Sequence, residues 1–292
     1  MTTIDFCVKN FGQARLLTKL LSLPINRVLG QQLKLTSSQF DLIQSQIALL
    51  DSGYPLDYLL GSVNFCNQEF VISKDVLIPR PATEFWVNEL ILQLEDFKAE
   101  AESHTAEPLT TLVEVGTGSG IIGLTLAPLF DYNILTDISR KALEVAKNNQ
   151  IRLCPKHPHI EFIQTDLLDN IILPTTNTNW ILVANLPYVP IGDLINKEKN
   201  RVSAEPEIAL YSGTDGLDLT RKLIHQLVSK YSGNMPSQIW LELDPRNIYE
   251  AKKIIQTTFQ TLTLKPGTKW IYNILTDEDD FARVLVIKQF TN

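Results

Sequence analysis

A glycine-rich segment near the middle of the chain has the composition of a loop that holds a small ligand. Gly116, Gly118 and Gly120 follow the apolar run Thr111–Val115 and precede a helical pattern. Glycine lacks a Cβ atom, so such a backbone can turn sharply and approach a ligand closely. The G-x-G-x-G spacing differs from the G-x-G-x-x-G dinucleotide fingerprint, since position 121 is isoleucine, and this disfavours NAD as the ligand.

An acidic residue stands 21 positions after the first of these glycines, at the end of the next predicted strand. From there Asp137 can accept hydrogen bonds from both hydroxyls of a ribose. A short glycine loop with such an acid suits a nucleoside ligand without a pyrophosphate, of which S-adenosylmethionine is the common one. Two other interpretations stay open: the loop could close a strand for structural reasons alone, and Asp137 could be a neighbour of the N-cap of a helix that begins near Ser139.

A second chemical motif, Asn185-Leu186-Pro187-Tyr188, directly follows the apolar pattern Ile181–Ala184. An amide, a rigid turn and an aromatic ring then lie beside the predicted cofactor loop. This trio suits methylation of a planar amide or aromatic amine nitrogen. The N–H groups of that nitrogen could donate to the Asn185 side-chain oxygen and the Leu186 carbonyl, which would direct its lone pair at the methyl group, while Tyr188 could pack against the planar group. The alternative is an ordinary strand-to-turn sequence, because Asn, Pro and Tyr are frequent in turns.

The N-terminal part of the chain predicts helices and one hairpin. The first fifty-odd residues look helical, with an N-cap at Ser37 or Ser38 and a periodic apolar pattern that Gly53 ends. Two β-type runs, Val63–Phe65 and Phe70–Ile72, follow. They predict a hairpin with a four-residue connection.

From residue 83 onward, helical patterns alternate with apolar runs. The helix-like stretch Thr83–Leu94 is followed by Glu95–Leu109, whose polar, aperiodic composition predicts a surface connection. The predicted strands are Thr111–Val115, Tyr132–Leu135, Ile160–Gln164, Ile181–Ala184 and Ile239–Leu243, and the predicted helices are Ile121–Leu129, Arg140–Asn149 and Leu219–Ser229. This alternation implies an α/β protein with a mainly parallel sheet covered on both faces. Trp270–Ile274 and Arg283–Ile287 predict a terminal antiparallel pair.

Composition excludes several classes of function. The 292 residues include 26 Lys+Arg and 33 Asp+Glu, a net charge of −7, which argues against a surface that binds nucleic acid or anionic lipid throughout. No apolar run reaches the ~18 residues of a membrane span, and the first residues lack a secretory signal, so we expect a cytoplasmic protein without membrane contact. The spacing of the cysteines and histidines predicts neither disulfides nor a metal site. These residues are Cys7, Cys66, Cys154, His104, His157, His159 and His225.

The order of motifs resembles that of the protein glutamine N5-methyltransferases that modify peptide-chain release factors, from about Gly53 almost to the C-terminus. The matching motifs are Pro55-Leu56-Asp57-Tyr58-Leu59-Leu60-Gly61, Val76-Leu77-Ile78-Pro79-Arg80-Pro81-Ala82-Thr83-Glu84, the glycine loop, Asn185-Leu186-Pro187-Tyr188, and Glu205-Pro206-Glu207-Ile208-Ala209-Leu210 with Asp215-Gly216-Leu217. Many methyltransferases share the loop, whereas the segment around Arg80 and the last block are more specific.

The resemblance implies a two-part α/β protein. Residues 83–292 would form a Rossmann-like, seven-stranded class I methyltransferase domain, and residues 1–82 a small N-terminal helical domain with a β-hairpin that receives the release factor. The implied activity is transfer of a methyl group from S-adenosylmethionine to the side-chain amide nitrogen (N5) of the glutamine in a Gly-Gly-Gln motif. We expect release factors as partners, no sequence-specific contact with nucleic acid, and a monomer.

The resemblance also implies a set of site residues. Those expected to contact the cofactor are Glu114, Gly116, Thr117, Gly118, Ser119, Gly120, Asp137, Asp166, Leu167 and Asn185. Those expected to hold the glutamine amide are Asn185, Leu186, Pro187 and Tyr188. Arg80 lies between two prolines, and two functions are open for it: a structural cation, or a group that orients the substrate backbone or the cofactor carboxylate.

Three departures from the family pattern keep other functions open. Leu186 replaces a proline, Ala82 replaces a glutamate, and Leu241-Glu242-Leu243-Asp244 lacks the Gly and Gln that usually follow the family's glutamate. A catalytically silent adaptor is therefore one alternative. Methylation of a ribosomal-protein glutamine is another, and N6-adenine methylation of DNA or RNA is a third, since Asn-x-Pro-Tyr also serves that chemistry. Residues 1–58 have five Lys+Arg and four Asp+Glu, so they offer little neutralisation of phosphate.

Overall fold

A computed structural model of the protein describes residues 4–6, 10–28, 33–102, 111–157, 159–174, 179–193, 204–263 and 267–291. Cys7, His104 and Pro158 lie outside these ranges. No helix within the described ranges combines the length and the apolar character needed to cross a membrane.

The N-terminal part folds around its own small core. Its helices are α1 (Phe11–Leu21), α2 (Ile25–Val28), α3 (Ser37–Asp51) and α4 (Leu56–Leu60), and its strands are β1 (Ile4–Phe6) and β2 (Leu33–Leu35). Leu16, Leu17, Ile43 and Ile47 are buried together between the helices. The antiparallel pair of β1 and β2 was missed by the expectation of an all-helical segment, because three residues are too few to show a strand periodicity.

Helix α3 begins one residue earlier than its predicted cap allows. The N-cap is Thr36, so the prediction of Ser37 or Ser38 was wrong. The Thr36 hydroxyl accepts from Gln39 N at 3.3 Å, and the Gln39 side-chain oxygen accepts from Thr36 N at 3.0 Å. This reciprocal capping box satisfies two backbone donors at once, which neither serine can do without a Glu or Gln three positions later.

The predicted hairpin is present, with a shorter connection. Its strands are β3 (Ser62–Phe65) and β4 (Gln68–Val71), joined by two residues where four were expected. Cys66 and Asn67 both have positive φ angles, 46° and 61°. Two successive left-handed residues form the type I′ geometry that matches the strand twist, and this allows the tight turn. Phe65 and Phe70 are buried in the same cluster as helix α5 (Pro81–Glu102).

Helix α5 is longer than predicted. The expected end at Leu94 was wrong, because the helix continues through the polar residues as far as Glu102. Polarity does not end a helix, since Glu, Lys and Ala all have high helix propensity. The rest of the expected connection, residues 103–109, lies outside the described ranges.

The second half of the chain forms the predicted seven-stranded sheet, in the order β10-β11-β9-β8-β5-β6-β7. Its strands are β5 (Thr111–Val115), β6 (Tyr132–Asp137), β7 (Ile160–Gln164), β8 (Trp180–Ala184), β9 (Gln238–Glu242), β10 (Thr268–Thr276) and β11 (Ala282–Thr291). Strands β5 to β9 are parallel to one another, whereas β11 pairs antiparallel with both β9 and β10. The α/β class and the terminal antiparallel pair are therefore confirmed.

Helices cover both faces of the sheet. They are α5, α6 (Ile121–Leu126), α7 (Arg140–Leu153), α8 (Asp218–Tyr231) and α9 (Ile248–Phe259). Alternate residues of one strand enter different cores: Leu182 and Ala184 pack with α8 and α9, whereas Ile181 and Val183 pack with α5 and α6. Helix α9 was not predicted, although its buried residues at positions 248, 251, 255 and 259 show helical spacing.

The strand order reverses beside β5. The chain passes from β5 to β6 and β7 on one side and returns to place β8 on the other. At such a switch point the connections leave in opposite directions, and a crevice opens beyond the carboxyl ends of the two central strands. The glycine loop follows β5 and the Asn185 motif follows β8, so both reach this crevice.

Candidate active site

The glycine loop leaves β5 in a conformation that only glycine adopts easily. Gly116, Gly118 and Gly120 have φ angles of 76°, 55° and 80°. The backbone N–H groups of Gly116 and Thr117 both donate to Thr136 O, at 2.9 and 2.7 Å. A Cβ atom on Gly116 would lie only 2.8 Å from Leu186 Cδ2. The loop is therefore held against β6 on one side and against the Asn185 motif on the other.

Glu114 lies behind this loop and supports it from within the sheet. Its buried carboxyl group accepts hydrogen bonds from the Thr117 hydroxyl and from Gly123 N, the latter at 3.0 Å. Burial raises the pKa of Glu114 to about 8, against the lowering effect of these two bonds. Glu114 does not line the cleft in front of the loop.

Asp137 lies where we expect a carboxylate that binds the hydroxyls of a ribose. It ends β6, where its Oδ2 accepts from Gly118 N at 2.9 Å and its Oδ1 accepts from Ser139 N at 2.8 Å. Each carboxylate oxygen keeps a further lone pair for another donor. Burial raises the pKa of Asp137, and the bonds from Ser139 and Gly118 lower it. Ser139 is the N-cap of α7, so the interpretation of Asp137 as a neighbour of a helix cap also describes the geometry.

A cleft of about 180 Å³ lies in front of the loop and of Asp137. The predicted residues on its wall are Gly116, Thr117, Gly118, Ser119, Asp137, Asp166, Leu167, Asn185, Leu186 and Pro187. Leu167 has a positive φ of 56°, which is uncommon for a leucine and typical of residues held at functional sites. The Asp166 carboxylate is paired with Lys222.

The walls of this cleft fit S-adenosylmethionine. The Asp137 carboxylate oxygens are able to accept hydrogen bonds from ribose hydroxyls. Nothing lies within 4 Å of a Cβ built on Gly118, so the loop leaves room for a ligand against its backbone. Apolar side chains that the sequence analysis did not single out, such as Ile122, Ile138 and Leu219, complete the wall. Ile138 follows Asp137 directly, and its exposed apolar side chain at the end of a strand was the available signal.

A second cleft of about 270 Å³ adjoins the first. Arg80, Asn185, Leu186, Pro187 and Tyr188 all line it. Three residues of the motif, at positions 185 to 187, line both clefts. The predicted cofactor residues therefore meet the predicted substrate residues at the Asn185 motif.

Arg80 forms an ion pair with Glu205, whose side chain is almost completely buried. The other Glu205 oxygen accepts from Ile78 N at 2.9 Å. Burying a carboxylate is costly unless it is paired and hydrogen-bonded, so the ion pair with Arg80 stabilises the buried Glu205 side chain. Since Arg80 also lines the second cleft, a contact with the substrate is compatible with this pairing.

Side chains of α5 and β9 hold the Asn185 motif. Asn185 Nδ2 donates to the Thr83 hydroxyl at 3.3 Å, and the Tyr188 hydroxyl donates to Glu242 Oε1 at 3.2 Å. Burial, and to a smaller extent the Glu242 carboxylate, raise the pKa of Tyr188, so its hydroxyl stays a donor. Val189 N donates to Leu210 O at 2.9 Å, which fastens the end of the motif.

Two further side chains at this site, Thr83 and Glu242, have no function predicted from the sequence. Glu242 is buried at the end of β9, and its Oε2 accepts from the Thr83 hydroxyl at 2.8 Å and from Trp86 Nε1 at 2.7 Å. A carboxylate within the apolar run Ile239–Leu243 was the available signal. Among the described residues, no group of three or more His, Cys, Asp or Glu side chains is arranged to hold a metal ion.

Comparisons with known proteins agree on one family. The chain is 31% identical over 259 residues to the release factor glutamine methyltransferase of Mycoplasma mycoides, covering 88% of this chain and 84% of the relative. It is 32% identical over 261 residues to that of Borreliella burgdorferi, covering 87% and 80%. The corresponding Lactococcus lactis protein is 30% identical over 230 residues, covering 78% and 76%. No family model matches the chain.

Solved structures support the fold alone. The hMettl16 catalytic domain in complex with MAT2A 3'UTR hairpin 6 superposes with a TM-score of 0.53 at 14% identity, covering 82% of this chain and 91% of that one. The same domain with hairpin 1 also gives a TM-score of 0.53, at 12% identity, covering 96% and 91%. The seven-stranded domain is thus a class I methyltransferase fold.

Proposed function

The chain belongs to the release factor glutamine methyltransferase family, and from this premise we propose that it methylates the glutamine of the Gly-Gly-Gln motif in a peptide-chain release factor. It is an S-adenosylmethionine-dependent protein-glutamine methyltransferase. The observation that best supports transfer to a side-chain amide is the position of Asn185, which lines both clefts. A side chain at this junction can hold an acceptor amide next to the methyl donor.

The cofactor would occupy the cleft in front of the glycine loop. Asp137 would accept hydrogen bonds from the ribose hydroxyls, and the backbone from Gly116 to Gly120 would lie against the ligand. Thr117, Ser119, Asp166 and Leu167 would form the rest of its wall, while Glu114 would act from behind by holding Thr117. When bound, S-adenosylmethionine supplies an electrophilic methyl group on a sulfonium centre.

The second cleft would receive the glutamine side chain. Its amide nitrogen is a poor nucleophile, because the lone pair is delocalised into the carbonyl. Two N–H groups donating to Asn185 Oδ1 and to the Leu186 carbonyl would orient that nitrogen and stabilise the positive charge that develops on it. One of these hydrogens then leaves as a proton to water. Replacing the family's proline by Leu186 keeps the acceptor, because it is a main-chain carbonyl.

Peptide mass spectrometry tests the function directly. The purified protein is incubated with S-adenosylmethionine and a release factor, and the glutamine of the Gly-Gly-Gln tripeptide should gain one methyl group. A release factor with that glutamine replaced by asparagine serves as the matched substrate control. Methyl transfer to an adenine or to a ribosomal-protein glutamine, with none to the release factor, would contradict the proposal.

Asn185→Ala should abolish transfer while S-adenosylmethionine binding, measured by calorimetry, becomes weaker and stays detectable. The reason is that the amide oxygen acts on the substrate, whereas most of the cofactor's contacts lie elsewhere. Asn148→Ala, at an exposed position of α7, is the control and should keep full activity. Full activity in the Asn185 variant would refute the assigned function of this residue.

The same calorimetry separates the enzyme from a silent adaptor. Asp137, Asp166 and Asn185 line the cleft in front of the glycine loop, and this supports the expectation that the unmodified protein binds S-adenosylmethionine. An absence of measurable binding would favour the adaptor. We further propose that the enzyme acts as a monomer in the cytoplasm, and that residues 1–82 receive the release factor.

A further inference from the structure

We propose that Thr83 and Glu242 are positioning residues that fix the carboxamide of Asn185, so that its Oδ1 atom is presented to the substrate. The inference rests on the proposed function, because it explains how the acceptor atom for the substrate N–H is selected. An asparagine side chain can turn over and exchange its oxygen for its NH₂ group. Only the arrangement in which Oδ1 is directed at the substrate can accept a hydrogen bond from an amide N–H.

The direction of the Thr83 hydroxyl is determined by Glu242. This side chain is 2% exposed, and its Oε2 atom lies 2.7 Å from Trp86 Nε1 and 2.8 Å from the Thr83 hydroxyl. An indole N–H can only donate, so Oε2 is an acceptor at this position. A hydroxyl beside an acceptor turns its hydrogen towards it. The Thr83 hydroxyl therefore donates its hydrogen bond to Glu242 Oε2.

The direction of the Thr83 hydroxyl in turn determines the orientation of the Asn185 side chain. With its hydrogen directed at Glu242, the Thr83 oxygen presents only lone pairs to Asn185. The carboxamide atom 3.3 Å away must then be Nδ2, because an oxygen there would put two acceptors in contact in a partly buried site. Asn185 Oδ1 therefore points away from Thr83 and stays available as an acceptor. Among the residues that the structure describes, none donates a hydrogen bond to Asn185 Oδ1.

The arrangement does not depend on whether Glu242 is ionised. Burial raises the pKa of this carboxyl group, and its bonds from Trp86, Thr83 and Tyr188 lower it. Oε2 already accepts two hydrogen bonds, so a bound proton would reside on Oε1, which faces the Tyr188 hydroxyl at 3.2 Å. The direction of the Thr83 hydroxyl is the same in both cases.

A pair of substitutions at Thr83 tests the inference. Thr83→Val keeps the shape of the side chain and removes the hydroxyl, so Asn185 is no longer held in one orientation. We expect kcat for release-factor methylation to fall about 10-fold to 100-fold, with the Kd of S-adenosylmethionine and the KM of the release factor changed by less than about 2-fold. The loss should be smaller than the roughly 10² to 10³ for removing a preorganised donor, because Asn185 itself remains. Thr83→Ser restores the hydroxyl and should recover kcat to within about 3-fold.

Glu242→Leu supplies a second, independent variant, because leucine has no acceptor for the Thr83 hydrogen. We expect a fall in kcat comparable to that of Thr83→Val. Glu242→Gln is its control and should keep kcat to within about 3-fold, because the Gln oxygen can take the place of Oε2 while its NH₂ group faces the Tyr188 hydroxyl. The kcat of the double variant, Thr83→Val with Glu242→Leu, should lie within about 2-fold of the kcat of the slower single variant, because both changes act through the same Asn185 carboxamide. Equal kcat values for Thr83→Val and Thr83→Ser, or fully additive losses in the double variant, would overturn the proposal.

A measurement on the unmodified protein covers the case in which a variant fails to fold. Nuclear Overhauser effects should connect the side-chain NH₂ protons of Asn185 with the γ-methyl protons of Thr83. Their absence, with the NH₂ group directed into the cleft, would overturn the proposal whatever the variants do. Failure of the wild-type protein to methylate any release factor would instead refute the proposed function, and the spectrum would still decide the orientation of the amide.

Discussion

Two buried glutamates at the ends of sheet strands differ in how fully they are hydrogen-bonded. Glu242 accepts hydrogen bonds on both oxygens, from Thr83, Trp86 and Tyr188. In Glu114 only Oε2 has partners, and Oε1 is buried without one. An unpartnered buried carboxylate oxygen favours the protonated form. Glu114 therefore keeps its proton at neutral pH, in accord with its pKa of about 8.

This proton makes stability depend on pH. Between the ordinary value of 4.5 and about 8, the unfolded chain has lost the Glu114 proton whereas the folded chain retains it. The folded state then binds more protons, so the free energy of unfolding falls as pH rises, by up to about 1.4 kcal/mol per pH unit. Glu114→Gln should gain stability relative to the wild type from about pH 5 to about pH 8 in urea unfolding. Glu144→Gln, exposed on α7, is the control, and a pH-independent difference for Glu114→Gln would contradict the assignment.

A contact between two segments explains why the family motif Asp215-Gly216-Leu217 has a glycine at its centre. The segment Asp215-Gly216-Leu217 passes beside the end of the Asn185 motif. A Cβ atom on Gly216 would lie 2.1 Å from Tyr188 O and 2.8 Å from Asn247 Nδ2, and its φ is 80°. Only glycine can occupy this place, because a side chain would displace the backbone at Tyr188.

Gly216→Ala should therefore impair both stability and activity. We expect a loss of more than about 2 kcal/mol in the free energy of unfolding and at least a 10-fold loss in kcat, since the new Cβ must move Tyr188. Gly233→Ala is a matched control: this glycine is exposed, and nothing lies within 4 Å of its Cβ position. Unfolding in urea and methyl-transfer assays measure the two effects. A Gly216 variant that behaves like the Gly233 variant would contradict the close approach.

The start of α3 offers a test within a single element. Thr36→Ala removes the capping hydroxyl and should lower the free energy of unfolding by about 1 kcal/mol. Ser37→Ala should change it by less than about 0.5 kcal/mol, because Ser37 is exposed and makes no side-chain hydrogen bond to the described residues. Urea unfolding followed by circular dichroism compares the two. Equal losses would show that the helix is capped elsewhere.

The acidic balance of the whole molecule separates a protein substrate from a nucleic acid. With a net charge of −7, the protein has little capacity to neutralise phosphates. We expect no saturable binding of labelled RNA or DNA below about 10⁻⁴ M at physiological salt, as measured by fluorescence anisotropy. Tight binding that weakens steeply with added salt would revive the adenine alternative. The same measurement with a release factor gives the positive reference.

The local features of this protein follow from the sequence. Glycine spacing, the acid 21 positions later and the alternation of apolar runs with helical patterns predict the α/β sheet and the cofactor loop, because these signals depend on neighbours in the chain. Helix boundaries follow less directly from the sequence, as at Thr36 and at the end of α5, because a single capping pair or a few strong helix formers determine where the helix begins or ends.

Contacts between distant segments were decided only by the tertiary structure. Thr83 and Asn185 are 102 positions apart, Trp86 and Glu242 are 156 apart, and Arg80 and Glu205 are 125 apart. Each pair meets because α5 packs on the sheet and β9 lies beside β8, arrangements that result from burying apolar faces and not from any local preference. The sequence therefore predicts that Asn185 meets the substrate. Which of its two side-chain atoms faces the substrate is decided by Glu242, through Thr83, in the folded molecule.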